Sequence, residues 1–431
     1  MKPGLERTAR LLEMMADPHH GYPAVHITGS NGKTSTARIA TSILAAHGLA
    51  VGTYTSPHLE RWEERFSLDG KSATPEEFAV AISEAAPFVE LLRRETGDPA
   101  TIFEILTVAA FSWFAERAVD AAVVEVGLGG RLDSTNVLRS EVAVVTGVSR
   151  EHTQWLGDTV GEIAGEKLAI AKEGSVLVTG PLPEEAERVA ATRVEQSGVP
   201  WRRFGTDFET VDAQQAVGGW LCEVSGIYET YSGVPLRMHG RHQTRNLAVA
   251  VAACEELFGR ALSPEATRRG AEQAPSQGRL EVVGRNPLVL LDGAHNPESF
   301  AALGAALQEE FPAFRWQVVL GALGDKDLPN MLDRLRVEIA DVYATAPVSE
   351  RARPVAEIAA AARSAFGKAP VHEVPSVPEA VTRALAGAGP EGAVLVTGSL
   401  YVVGEARSTL APDQARGLVV ATIAEPLDME H

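Results

Sequence analysis

The stretch Thr28-Gly29-Ser30-Asn31-Gly32-Lys33-Thr34-Ser35 carries the residue types that hold a nucleotide's phosphates. Between a strand and a helix, such a turn gathers backbone N–H groups and the positive helix end at one point. Gly29 and Gly32 let the backbone close on phosphate oxygens with no Cβ in the way. Lys33 can set an ammonium between the β- and γ-phosphates, and Thr34 or Ser35 can reach a metal or a phosphate. The spacing is the compact G-x-x-G-K-S/T. The longer G-x-x-x-x-G-K-S/T would need glycine at position 27, where Ile27 stands. The competing reading is a tight strand–helix turn with an exposed lysine; the Gly-Lys-Thr-Ser run directly between strand and helix favours the nucleotide.

Three further residues could do chemistry beside that loop. Glu125 follows the apolar run Ala121–Val124 and precedes Gly127-Leu128-Gly129-Gly130. A carboxylate at the end of a buried parallel strand faces the crevice where such sheets bind ligands. It suits magnesium, and it suits equally well a cap on a neighbouring turn. His152 lies just beyond another strand and, taken alone, reads as structural. Lys167, in Gly165-Glu166-Lys167-Leu168, reads as the solvated face of a helix.

The elements that must position these residues alternate as short apolar runs and longer helical patterns, which implies a parallel sheet flanked by helices. The spacing predicts a strand at Ala24–Thr28, a helix from Lys33 to about His47 ended by Gly48, and strands at Val51–Thr55, Asp120–Gly127, Glu141–Val148 and Gly174–Thr179. Phe103–Arg117 reads as a buried helix. Between Phe204 and Gly240 the pattern becomes that of small β-hairpins, a minor sheet appended to the first domain. Helical character returns at Asn246–Phe258. A linker is expected at about 276–286. Strands follow near Leu288–Asp292, Trp316–Gly321, Asp341–Thr345, Val371–Val374 and Ala393–Thr397, and a helix with a frayed end after Val402.

At 431 residues the chain calls for two or three domains. With 45% hydrophobic and 22% charged residues it has a soluble globular profile. Its formal charge of −18 argues against nonspecific nucleic-acid binding, which needs a basic face. Cys222 and Cys254, the only cysteines, form no C-x-x-C pair, so no disulfide framework or thiolate zinc site is expected. The N-terminus lacks an apolar signal core, and runs such as Ala118–Val124 are too short to cross a bilayer. The expectation is a cytoplasmic protein without a membrane or nucleic-acid partner.

The chain also resembles a known family over nearly its whole length. HITGSNGKTSTA (26–37), YTSPHLERWEERFSLDG (54–70), FEILTVAAF (103–111), VVEVGLGGRLDSTNV (123–137), EHTQWLGDTVGEIAGEKLAIAKEG (151–174), GRHQTRN (240–246), GRLEVV (278–283), LDGAHNP (291–297), GALGDKD (321–327) and VTGSLYVVGE (396–405) are similar, in order and spacing, to the folylpolyglutamate synthase/dihydrofolate synthase branch of the Mur ligase superfamily. The resemblance implies two α/β domains with mainly parallel sheets. Residues 1–280 would form a P-loop-type ATP-binding domain with the small appended sheet, and 281–431 a Rossmann-like glutamate-ligase domain. It implies that ATP converts a dihydropteroate or folate carboxylate to an acyl phosphate, which the amine of L-glutamate attacks. One magnesium would be held by Ser56 and Glu125 and a second by His152, and Lys167 would be carbamylated. Asn246, Arg279 and Asp292 would meet the nucleotide, Asp292 at the ribose. His295 would lie near the phosphates and incoming glutamate, and Ser399 near the glutamate. The family is commonly monomeric.

This sequence departs from the family pattern around Lys167. Glu151 stands where aspartate is usual, with Arg150 before it, and E-K-A-G-I reads Glu166-Lys167-Leu168-Ala169-Ile170, which crowds the lysine. Two other readings remain: a Mur-type ligase with a different carboxylate acceptor, and a nucleotide-binding homologue without catalysis.

Overall fold

The structure, a computed structural model, describes residues 4–410. Its first sheet has eight strands: β1 (Ala24–Thr28), β2 (Val51–Tyr54), β3 (Phe66–Leu68), β4 (Lys71–Ser72), β5 (Ala121–Glu125), β6 (Val142–Val145), β7 (Val176–Thr179) and β8 (Trp201–Arg203). They lie in the order β4-β3-β2-β5-β1-β6-β7-β8. All strands from β2 to β8 in that order are parallel; β3 and β4 add an antiparallel edge. Every residue of β1, β5 and β6 is buried, as continuous apolar runs covered on both faces require. Each fully buried Val or Ile among them contributes about 1.5–3 kcal/mol over an exposed one.

Helices Lys33–Ala46 and His242–Phe258 cover one face through Ile39, Ile43, Leu247 and Val251. Helix Ile102–Glu116 covers the other through Val108, Phe111 and Phe114. Its start is fixed by a capping box between Thr101 and Glu104. Because β1 lies between β5 and β6, their carboxyl ends set segments 28–35, 125–130 and 146–152 side by side.

Strands β9 (Glu209–Ala216), β10 (Gly219–Ser225) and β11 (Thr230–Leu236) form the small antiparallel sheet. It joins the first core through Trp220, Cys222 and Val224. The following helix begins at His242, four residues ahead of the expected start.

The third sheet comprises β12 (Glu281–Arg285), β13 (Leu288–Asp292), β14 (Trp316–Leu320), β15 (Ile339–Ala344), β16 (Val371–Glu373) and β17 (Ala393–Thr397), ordered β12-β13-β17-β14-β15-β16. Only β12 is antiparallel. The expected linker 276–286 is therefore corrected in its second half: Glu281–Arg285 form the edge strand β12, a hairpin partner of β13 across the turn at Asn286-Pro287. Helix Leu400–Leu410 closes the described chain, and the frayed end expected after it lies outside the described residues. No helix among the described residues is long and apolar enough to cross a membrane.

Candidate active site

β1 ends at Thr28 and the next helix begins at Lys33, so the phosphate loop occupies the turn between them. Gly32 is left-handed, with φ of 88°, and an added Cβ would stand 2.6 Å from Asn246 Oδ1. Conformation and close approach both demand glycine there. The loop is fastened to the segment after β6: the Ser30 N–H donates to Gly147 O (2.9 Å), Thr146 Oγ1 to Asn31 O (2.6 Å), and the Ser149 N–H to Ser30 Oγ (2.9 Å). Lys33 Nζ donates to Gly29 O (2.6 Å) and Ser30 O (3.3 Å), so its charge rests on the loop itself. Ser35 is buried in the first helical turn.

Glu125, at the end of β5, is only 1% exposed. It accepts from Thr34 Oγ1 at 2.9 and 3.1 Å and from the Ser56 N–H at 3.3 Å. Burial pushes its carboxyl above the ordinary carboxylate range, opposed by Lys33, Thr34, Arg279 and Ser56. Its hydrogen-bond partners are neutral, a hydroxyl and an amide. A buried carboxylate held this way favours a cation. The oxygen donors of Glu125, Thr34 and Ser56 fit a hard ion such as magnesium.

His152 is half-buried in a left-handed conformation, φ 45°, and burial lowers its pKa. Among the described residues no hydrogen bond joins it to Ser56 or Glu125. Its neighbour Glu151 reaches inward instead and pairs with Lys167 at 2.8 Å. Lys167 is 2% exposed, which corrects the solvated-face reading. Burial raises the Glu151 carboxyl, but Lys167 and Lys33 overcome it and hold it at about 2. Burial brings the Lys167 ammonium down to about 8 against the pull of Glu151. The pair is thus charged at neutral pH.

The remaining predicted residues come from the second half. Asn246 Nδ2 donates to Gln243 Oε1 (2.8 Å), which leaves Asn246 Oδ1 facing Gly32. Arg279 acts electrostatically on Glu125, Asp292 and His295. Asp292 accepts the Leu280 and Ala294 N–H groups, each at 2.9 Å, so its carboxylate also ties β13 to the segment before β12. His295 Nδ1 lies 2.8 Å from Gly293 O. A carbonyl only accepts, so Nδ1 carries the proton and Nε2 the lone pair. Burial keeps this imidazole neutral, with its pKa near 4. Ser399 is buried, and its Oγ accepts the Tyr401 N–H (3.2 Å) at the start of the last helix. Asn31 bridges the two halves: its Oδ1 accepts from Asn296 Nδ2 (3.0 Å) and its Nδ2 donates to Glu298 Oε2 (3.3 Å).

Lys326 was not singled out from sequence. It follows β14 and acts electrostatically on both His152 and His295. A cation just past the carboxyl end of a parallel strand was the available signal.

Residues 27–254 match the Mur ligase middle domain and residues 278–400 the Mur ligase glutamate ligase domain. The chain is 37% identical to a dihydrofolate synthase/folylpolyglutamate synthase of Mycobacterium tuberculosis, over 95% of this chain and 91% of that protein. It is 33% identical to the dihydrofolate synthase/folylpolyglutamate synthase of Bacillus subtilis, over 95% of each. The fold is similar to that of Mycobacterium tuberculosis folylpolyglutamate synthase complexed with ADP and AMPPCP, with a TM-score of 0.92 at 36% identity, over 95% of this chain and 96% of that one. With both domains matched and the likeness running nearly end to end, the chain belongs to the folylpolyglutamate synthase/dihydrofolate synthase family of Mur ligases.

Proposed function

We propose that this protein uses ATP to ligate L-glutamate to dihydropteroate, to a folate carrying one or more glutamates, or to both. The observation that carries the reading is the buried Glu125 carboxylate, held by Thr34 of the phosphate loop and by Ser56. A free carboxylate is a poor electrophile. Its oxygen attacks the γ-phosphorus of ATP, the bond to the β,γ-bridging oxygen breaks and ADP leaves, giving an acyl phosphate. The glutamate amine then attacks that carbonyl and inorganic phosphate leaves. Residues 29–35 cradle the phosphates, with Lys33 against the charge that develops on the transferring group. Asn246, Arg279 and Asp292 border the nucleotide, and Ser399 the glutamate. His295, neutral with a free Nε2 lone pair, is suited to accept a hydrogen bond from the attacking amine.

Magnesium at Glu125 and Ser56, with a second ion at His152, would neutralise phosphate charge when bound. Lys167 is the candidate for carbamylation. Burial favours the neutral amine that this modification needs, and the ion pair with Glu151 opposes it. Recovery of Lys167→Ala activity by small carboxylic acids supports the carbamate; no recovery counts against it. That ion pair is also what favours the second reading, a nucleotide-binding protein without turnover. We place the division between an ATP-binding and a glutamate-ligase domain at residues 280 and 281, and propose a cytoplasmic monomer, which light scattering of the purified protein tests.

The deciding experiment incubates purified protein with ATP, magnesium and L-glutamate, adding dihydropteroate or a reduced folate in turn. Phosphate release that depends on one acceptor and on glutamate supports the proposal. Release independent of acceptor rejects it, and nucleotide binding without release favours the second reading.

A further inference from the structure

His26 lies in the middle of β1, two residues ahead of the phosphate loop, and is completely buried. Its Nε2 is 2.8 Å from Thr135 Oγ1. Thr135 Oγ1 in turn donates to Asp133 Oδ1 at 2.5 Å. The hydroxyl proton is therefore committed to the carboxylate, and the imidazole donates through Nε2–H. Nδ1 is left as a lone pair and has no hydrogen-bond partner among the described residues. A histidine held in one tautomer at the cost of an orphaned nitrogen is not explained by core packing, where an apolar side chain avoids the penalty.

The chain of contacts leads to the loop that directly follows Glu125. Asp133 Oδ2 accepts the Leu128 N–H at 2.9 Å, and Oδ1 also takes the Thr135 N–H at 3.0 Å. Thr28, on the same strand as His26, donates from Oγ1 to Gly129 O at 2.6 Å. On its far side the loop lies against the Lys167 helix: the Arg131 N–H donates to Glu166 O (2.9 Å), and a Cβ on Gly130 would meet Glu166 O at 2.7 Å and Lys167 O at 3.0 Å. One strand thus carries the phosphate loop at its end and, through two side chains, fixes the loop between Glu125 and the Lys167 helix.

We propose that His26 is a positioning residue: through Thr135 and Asp133 it fixes the Gly127–Gly130 loop, and so keeps Glu125 and the Lys167 helix in register with the phosphate loop. This rests on the site assigned under Proposed function. The mechanism is mechanical. The imidazole stays neutral, with a pKa of about 3 set by burial, and no proton moves through it during turnover.

The test compares Thr135→Val, which keeps shape and removes the relay, with Thr135→Ser, which restores the hydroxyl. Thr135→Val is expected to lower kcat about 10- to 100-fold while changing the nucleotide Kd less than about threefold, because positioning and not phosphate contact is lost. Hydrogen exchange at the Leu128 amide should speed up by about tenfold or more, since its acceptor is no longer held. Thr135→Ser and His26→Gln, whose amide can donate in place of Nε2–H, should recover most of both readouts. His26→Leu combined with Thr135→Val should be no worse than Thr135→Val alone. If Thr135→Val does not fold, His26→Asn, polar but too short to reach Thr135, replaces it.

Unchanged exchange at Leu128 in the folded variant overturns the proposal. So does additive loss in the double variant, or a fall in nucleotide affinity that matches the fall in kcat. If no acceptor is turned over by the parent protein, it is the ligase reading that fails, and exchange at Leu128 and Gly129 still decides the role of His26.

Discussion

Lys33 closes back on the phosphate loop while Glu125 accepts the Thr34 hydroxyl, and their removal should separate phosphate handling from metal handling. Lys33→Ala takes away the ammonium of the phosphate loop and should cost about 100-fold or more in kcat. Phosphate release measures this, and near-normal kinetics would exclude the loop assignment. Glu125→Gln keeps shape and removes a buried charge that has only neutral hydrogen-bond partners. The variant should fold as stably as the parent yet need about tenfold or more additional magnesium for half-maximal rate. Loss of folding would instead make Glu125 a structural carboxylate. The Glu151–Lys167 pair behaves differently, because each charge is buried against the other. Lys167→Ala strands Glu151 and should lower stability by about 3–5 kcal/mol, whereas Lys167→Met with Glu151→Leu should cost far less. The pH dependence follows from Glu151. Its folded value near 2 lies below the ordinary one, so its stabilisation is complete above the unfolded pKa and fades as pH falls from about 5 toward 2. Acid unfolding followed by fluorescence should accordingly be shallower in Glu151→Gln.

Among the elements, those with continuous apolar runs were legible in advance, and those held by distant partners were not. β1, β5 and β6 are buried on both faces, so burial alone writes them into the sequence as Val-, Ala- and Ile-rich runs. The phosphate loop was legible because its chemistry is local. Helix Pro75–Thr96 left little trace: it contains Pro87 and buries only Ala81, Ala85 and Leu92. β12 sat inside what composition marked as a linker, since an edge strand needs apolar residues on one side only. Lys167 was misread as exposed because its partner lies 16 positions away across a turn, and helical spacing cannot reveal that. Ser149 and Asn296 were invisible for the same reason. Gly130 shows how tightly such unseen contacts are drawn. Gly130→Ala would press a methyl against the Glu166 and Lys167 carbonyls and should cost about 1–3 kcal/mol in denaturant unfolding. Gly165→Ala, in the same helix with nothing within 4 Å of its Cβ, should instead gain about 0.5–1 kcal/mol. A reversed order would mean the loop is free to move off the helix.

At the scale of the whole molecule, the two halves meet at several polar contacts. Helix Pro297–Glu310 spans the seam: Asn296 and Glu298 hold Asn31 at one end, and Glu309 and Glu310 hold Arg241, His239 and Gly240 at the other. Arg38 Nη1 donates to Gln277 O (2.8 Å), just ahead of β12. Opposite these, Arg407 of the last helix pairs with Glu60, four residues past Ser56, and with Glu281 at 3.0 Å. Ser408 Oγ adds a bond to Glu60 Oε1 (2.8 Å), and Gly404 lies too close to Leu59 O to accept a side chain. The segment carrying Ser56 is thus gripped by the other half of the molecule. These three charged side chains are only 13–15% exposed, so the clasp is little screened by water. An acyl phosphate survives only while water is kept from it, and a clasp between the two halves would serve that end. Arg407→Ala leaves two shielded carboxylates without their cation. It should loosen closure more than it unfolds either half, and the expected signature is uncoupling: phosphate released per amide formed rises above one while nucleotide binding is kept. Glu60→Gln, which retains a hydrogen-bonding side chain, should uncouple less. Arg10→Ala, at an exposed surface pair, should leave the ratio unchanged. A ratio that stays at one in Arg407→Ala, with kcat intact, would show that closure does not depend on this clasp.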